Sequence, residues 1–451
     1  MNRRIALALA AGLVLADSSI VTLALPEILR ELDTTVPQVA WVLVSFNLAL
    51  AAAAVPGAMA ARRWPRGAYA VAILGFAAAC LVCATANELS VLIAGRVGQG
   101  IFGAVVVAGS LELLLRVDAQ RALHTWATAG VLGAAFGPAA GGLLTDLLSW
   151  EAMFALQAPV ALAGLAGLVG LRMGEERPAG TQRPAPTPAR IAALTALALA
   201  SAALAAALFL LVTMIIEGWR HTPIQAALIV SIMPVSAIAA PSLARALKAD
   251  DVVPRSAAGA VLLAGGLAAL GLLPSSDPAW TFLPQVLIGL GLGLLLTGLT
   301  SVAVSHGQAT YREASFTIAA RHIGVVVGLL LLTPVFTSDL QAQQRPTEMA
   351  ALSELLDAPL PLTVKVRLAG ALGTTIEDAD DRLPDLGPPF AKAGGGPERA
   401  AALRELRAQM DAELAAAGTK AFSTSFLVAA GFALLALVPI GLLLRFRRTP
   451  A

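Results

Sequence analysis

The sequence predicts an all-α membrane protein: twelve transmembrane helices in two six-helix bundles, with a long outer loop between helices 11 and 12. Three observations carry this expectation. Of 451 residues, 57% are hydrophobic and only 13% charged, too apolar a composition for one soluble core to bury. Twelve stretches are long enough to cross a bilayer, which takes ~20 apolar residues at ~1.5 Å of rise each. The cations, finally, alternate between loops as a fixed orientation requires.

The first six stretches are residues 5–25, 38–60, 68–86, 89–115, 124–145 and 152–171. Helix 1 follows Arg3 and Arg4 and carries Asp17 at its middle. Its start resembles a cleavable signal peptide, but the apolar run passes residue 20 and the cation pattern needs this helix to stay. Helix 3 holds Cys80 and Cys83, with no His or second Cys pair nearby for a metal, so they read as small apolar residues. Helix 4 carries Arg96 and ends with Glu112 and Arg116, one turn apart at the membrane edge. Helix 5 is dense in small residues around Gly133, Gly137, Pro138, Gly141 and Gly142. Such a face admits a close neighbour, and Pro138 removes a backbone donor; it is expected to seal a path between the halves.

A polar, proline-rich stretch over 174–190 cannot span lipid and divides the chain. Beyond it lie 191–216, 224–244, 256–274, 279–304, 314–338 and 422–444. Helix 10 has a packing face at Gly289, Gly291 and Gly293, and helix 11 carries Arg321 and His322. The expected domains are therefore 1–173, the linker 174–190, helices 7 to 11 over 191–338, an outer segment over 339–421, and 422–451 for helix 12 and its tail. The outer segment contains 13 of the 29 acidic residues, which keeps it out of lipid. Within it Leu403, Leu406, Met410 and Leu414 form one stripe of a helix over 397–417. That stripe packs on the rest of the segment or on the outer mouth, or forms a lid, or docks an amphiphile or an extracytoplasmic partner.

If both termini are cytoplasmic, the inner ends and loops collect Arg3, Arg4, Arg62, Arg63, Arg66, Arg116, Arg121, Arg172, Arg177, Arg183, Arg190, Arg245, Lys248, Arg255, Arg312, Arg445, Arg447 and Arg448. The short outer loops hold only Arg30 and Arg220. Location in a bacterial plasma membrane, multi-pass, follows as the expectation.

Charge inside lipid is costly, so intramembrane ions pair, face a cavity and mark a transport path. Asp17 is the one acid near the centre of a span. Counting helical rise inward from Glu27 and Glu88 puts Asp17 about 15 Å and Arg96 about 12 Å deep, nearly one level. Burial favours the neutral form of a carboxylate and a neighbouring guanidinium the charged form. The expectation is that Asp17 takes a proton from the outer side and releases it inward with the help of Arg96. The alternative is a fixed pair that merely joins helices 1 and 4. Arg321 either faces the cavity or snorkels to the interface, and His322 is expected to be solvated. No nucleophile–base constellation, phosphate loop or metal cluster is present, so neither enzyme activity, cofactor nor nucleic-acid partner is expected; the energy source is a proton gradient.

At these residues the chain resembles the major facilitator superfamily, and within it the drug:proton antiporters of the fourteen-helix subfamily. The run from Asp17 to Pro26 resembles that subfamily's D-x-T-I-V-N-V-A-L-P, and Arg96 with Gln99 and Gly100 resembles R-x-x-Q-G. Gly137, Pro138, Gly141 and Gly142 are similar to the fifth-helix antiporter motif; Trp150, Phe154 and Pro159 fall on W-R-W-x-F-x-x-N-x-P with Gln157 in place of Asn. The loop usually written G-x-L-a-D-R-x-G-R-R appears here with Gly57, Arg62 and Arg66 but with Ala61 where the acid stands, which implies altered gating. The extra helix pair of that subfamily is missing.

The resemblance implies proton coupling at Asp17 and Arg96 and a substrate cavity lined by Trp41, Asn47, Gln99, Phe154, Gln157 and Arg321. The expected function is proton-coupled export of hydrophobic or amphiphilic small molecules. Two alternatives remain: movement of a lipid or lipid-linked precursor, and a non-transporting membrane scaffold or sensor.

Overall fold

The computed structural model describes residues 2–171, 187–304, 311–377, 386–393 and 397–447. Most of the expected linker over 174–190 lies outside them. Among the described residues there are twelve helices long and apolar enough to cross a membrane, and no strand. In order these spans are Arg3–Thr22, Val36–Arg63, Pro65–Ala84, Leu89–Val117, Ala122–Leu147, Trp150–Leu168, Pro188–Gly218, Pro223–Ala246, Val252–Gly271, Pro278–Ala303, Glu313–Gln343 and Arg399–Arg445, here spans 1 to 12. Side chains start several of them. Asn2, Ser149, Thr187 and Asp251 each accept a hydrogen bond from a first-turn N–H of spans 1, 6, 7 and 9, and Thr222 with Gln225 closes a reciprocal cap on span 8.

Spans 11 and 12 outrun the expected membrane limits. One helix runs Tyr311–Asp357 and another Pro397–Leu435, 47 and 39 residues, or about 70 and 58 Å against a hydrocarbon core of ~30 Å. Hydropathy marks where lipid stops, whereas the Ala, Leu, Glu and Arg that follow the apolar part of span 11 and precede that of span 12 are strong helix formers and let each helix continue. The helix expected over 397–417 is thus the outer part of span 12's own helix. Helices Leu362–Glu377 and Gly387–Ala393 fill the space between the two extensions. Leu403, Leu406, Met410 and Leu414 are buried there against Leu355, Val364, Leu368, Leu372 and Phe390. The stripe therefore packs on its own segment, giving a small helical unit with a separate core.

The bundles meet unequally at their two ends. On the face carrying this unit, residues of both halves share one core: Ile20, Val39, Leu43 and Trp150 pack in it with Leu210, Ile215, Ala227 and Phe336. On the face carrying the termini the cores are distinct, one around Leu7, Tyr69, Phe76 and Leu113 and another around Ala193, Leu197, Leu299 and Ile440, with Ile318 of span 11 touching the former. The molecule is closed at the face of the unit and parted at the face of the termini.

Glycine makes the close approaches in both halves. A Cβ at Gly133, Gly137 or Gly141 would strike the span 1 backbone or Ser19, and one at Gly324 or Gly328 the span 7 backbone at Ala198 or Ala202. Gly289 and Gly293 press likewise on span 8.

Candidate functional site

Span 4 is drawn tightly into the N-terminal bundle: a Cβ on Gly95 would lie 2.5 Å from Cys83 Sγ, one on Gly100 2.5 Å from Phe46 O, and one on Gly103 2.9 Å from Val14. With backbones this close, Arg96 has nowhere to go but the interior. Its Nη1 lies 2.5 Å from Asp17 Oδ2 of span 1, and both side chains are 0% exposed. Arg96 Nε donates to Val42 O at 3.0 Å and Nη1 to Gln99 Oε1 at 2.8 Å. The guanidinium also lies 4.3 Å from the ring centre of Phe46 and 5.7 Å from that of Phe154, a cation–π arrangement.

The polar cluster extends through Gln99. Its Nε2 donates to Cys80 Sγ at 3.1 Å and to Gln157 Oε1 at 3.4 Å, while Cys83 Sγ donates to Gln99 Oε1 at 3.4 Å. Gln157 lies beside Asp17. Asp17 Oδ1, Arg96 Nη2 and Gln157 Nε2 are buried with no hydrogen-bond partner of ordinary geometry, an uncommon state for a native interior. Both cysteines thus line the site, a role their apolar setting in the sequence hides. The one available signal is their i, i+3 spacing, which puts them on one helix face.

A second polar group crosses between the halves. Asn47 Nδ2 donates to Leu43 O at 2.8 Å and to Ser18 Oγ at 3.1 Å, and its Oδ1 lies 2.6 Å from His322 Nδ1 of span 11. Ser18 adjoins Asp17, so one residue separates the buried ion pair from the inter-half contact. His322, expected to be solvated, is instead tied to the opposite bundle. On the closed face, Arg30 Nε lies 3.6 Å from Glu217 Oε1 across the halves. Glu217 sits in the wide final turn of span 7, Met214–Gly218. The ion pairs Arg4–Asp118, Arg116–Glu112 and Arg190–Glu313, on the termini face, each stay within one half.

The sequence model of the Major Facilitator Superfamily matches residues 7–330. The chain belongs to this superfamily. Among its relatives, the tetracenomycin C resistance and export protein of Streptomyces glaucescens is 36% identical over 174 residues, 37% of this chain and 32% of that protein. A putative multidrug resistance protein MdtD of Cronobacter sakazakii is 36% identical over 160 residues, 34% of each chain. The aligned stretch thus spans about a third of these relatives. In fold, the chain is similar to a bacterial homolog of the human lysosomal transporter Spinster in an inward-facing, occupied conformation. That similarity has a TM-score of 0.71 at 15% identity, covering 99% of this chain and 98% of the other. The nucleoside transporter NupG gives 0.60 at 12% identity, covering 99% and 100%.

Within this major facilitator fold the sequence-derived residues separate. Asp17, Arg96, Gln99, Phe154 and Gln157 come together, and Asn47 joins them through Ser18. They are sealed rather than set in an aqueous crevice. Trp41 stands apart: 44% exposed, it shares a stripe with Leu48 and Met59 on the outside of span 2, because the neighbours that face inward there are Val39, Ala40, Val42 and Leu43. Arg321 is partly exposed on span 11 of the opposite half and joins none of the side chains around the ion pair. On span 5 the expectation of an inter-half seal applies to Gly142 alone, whose Cβ would lie 2.6 Å from Pro223 O; Gly133, Gly137 and Gly141 face span 1. Pro138 is buried among them. Gly57 packs on Val105, and Arg66 Nη2 donates to the carbonyls of Leu168 and Leu171 at the end of span 6. Arg62 lies in the last turn of span 2 beside the buried Ala61.

Proposed function

We propose that the chain is a proton-coupled antiporter of the bacterial plasma membrane, both termini cytoplasmic, exporting hydrophobic or amphiphilic small molecules. The observation that carries this is the Asp17–Arg96 pair. A buried ion pair is commonly no more stabilising than packed apolar side chains, so the one carboxylate at mid-span calls for a reason beyond stability. Its proton occupancy depends on whether Arg96 stays against it and whether water reaches it. Both change if the halves rock between a state open at the termini face and one open opposite. With the termini inside, the present arrangement is the inward-open one. Names of the matched relatives, which refer to drug resistance and export, support the same reading, as does the scarcity of polar side chains on the spans.

A lipid or lipid-linked substrate is the second reading, favoured by the outer unit, where Met349, Leu352, Leu356, Leu362 and Val366 are strongly exposed and offer apolar contact beyond the membrane. Reconstitution in liposomes with an imposed pH gradient tests both. Exchange of a small amphiphilic dye supports the antiporter, movement of labelled lipid alone supports the second reading, and neither movement overturns both in favour of a scaffold.

A further inference from the structure

On the exporter reading above, we propose that Arg321, with His322 beside it, recognises an acidic group on the transported amphiphile: a carboxylate, phenolate or phosphate entering from the termini face. The lipid-facing side of span 11 is marked by Phe316, Ile323, Val327 and Leu330, each 40–48% exposed. At ~100° of turn per residue, Arg321 is about 140° round the helix from Phe316. It points away from lipid, into the angle between span 7, which Gly324 and Gly328 touch, and span 2, which His322 touches. Exposure on that side comes from the parting of the two bundles, not from the surface of the protein.

Arg321 has no ion pair or hydrogen bond, although eight other residues of the spans and their ends are held in the ion pairs Arg30–Glu217, Asp17–Arg96, Glu112–Arg116 and Arg190–Glu313. An unpaired guanidinium inside a span needs an anion. Among the described residues no carboxylate near mid-span is free to supply it, because Arg96 already occupies Asp17. The same fact argues against a cationic substrate, which would find its one deep acid taken. His322 completes the site. Asn47 Nδ2 uses both hydrogens on Leu43 O and Ser18 Oγ, so its Oδ1 faces His322 and accepts from Nδ1–H. The second ring nitrogen, Nε2, is left to accept from a protonated acid.

The test uses the full chain in detergent and two matched probes, pyrenebutyrate and pyrenebutyltrimethylammonium. The expected result is at least tenfold tighter binding of the carboxylate, a loss of at least tenfold in Arg321→Gln, a smaller loss in Arg321→Lys, and no change for the cation. Wild-type binding of pyrenebutyrate should also protect Arg321 from phenylglyoxal, read by peptide mass, which needs no variant to fold. Equal affinity for the two dyes, or an unprotected Arg321, overturns the proposal. Competition by lysophosphatidate assigns the acidic group to a lipid headgroup; failure to compete, with pyrenebutyrate still bound, assigns it to a soluble acid. Gradient-driven exchange separates this from the exporter reading: cation exchange without anion binding discards the anionic site alone, and anion binding without movement of either dye discards the exporter alone.

Discussion

The two bundles are built by one packing device and differ in charge. Gly133, Gly137 and Gly141 bring span 5 onto span 1, and Gly324 and Gly328 bring span 11 onto span 7 in the same manner. Yet the N-terminal bundle encloses Asp17, Arg96, Gln99 and Gln157 deep in its spans, whereas the buried ion pair of the C-terminal bundle, Arg190–Glu313, lies at the termini-face ends of spans 7 and 11. The packing is scaffold, shared because lipid demands close helix approach of any bundle. The deepest polar side chains lie on one half of it, and the other half brings His322 against Asn47 at the seam.

The largest effect that distinguishes the halves comes from Arg96→Met. It leaves the Asp17 carboxylate buried without its partner, which costs ~3–5 kcal/mol, so thermal unfolding in detergent should fall sharply. Adding Asp17→Asn should recover most of that loss. If the double variant is as unstable as the single, the charge is not what stabilises this core. Next in size, Gly137→Leu and Gly324→Leu should each destabilise by ~1–3 kcal/mol through overpacking, by similar amounts in the two halves. A loss confined to one half would break the claim of a common scaffold.

Smaller effects belong to the contacts between halves. Asn47→Ala removes the bond to His322, worth ~1 kcal/mol, and should shift the balance toward the state open on the opposite face about fivefold. Labelling of cysteines introduced along the termini-face cleft measures this; unchanged labelling would show that the bond does not couple the halves. The smallest is the outer mouth. Burial and the neighbouring Glu31, Glu151 and Asp146 push Glu27 up to about 7, against the opposing pull of Arg30. A carboxyl raised in the folded state is held there protonated, so its contribution to the closed mouth is present at low pH and lost as pH rises through about 7. Glu27→Gln should flatten the pH dependence of closure, measured by labelling on the outer face.

All twelve spans were legible in the sequence because lipid imposes one length and one composition on each. The level match of Asp17 and Arg96 followed from counting helical rise alone. What escaped depended on helix rotation and on partners distant in the chain. Trp41 was placed by motif position, but its azimuth on span 2 turns it outward. The glycines of span 5 announced a close neighbour without saying which. Cys80 and Cys83 carried no polar signal, and His322 meets Asn47 275 positions away, a pairing that only the docking of the halves creates. The extent of helices 11 and 12 was missed because hydropathy reports the membrane and not the helix.

The most direct test is substrate-driven proton flux in proteoliposomes carrying Asp17→Asn beside the native protein. The variant should still bind substrate but move no protons with it. Undiminished proton flux in Asp17→Asn would reduce the Asp17–Arg96 pair to a fixed strut between spans 1 and 4.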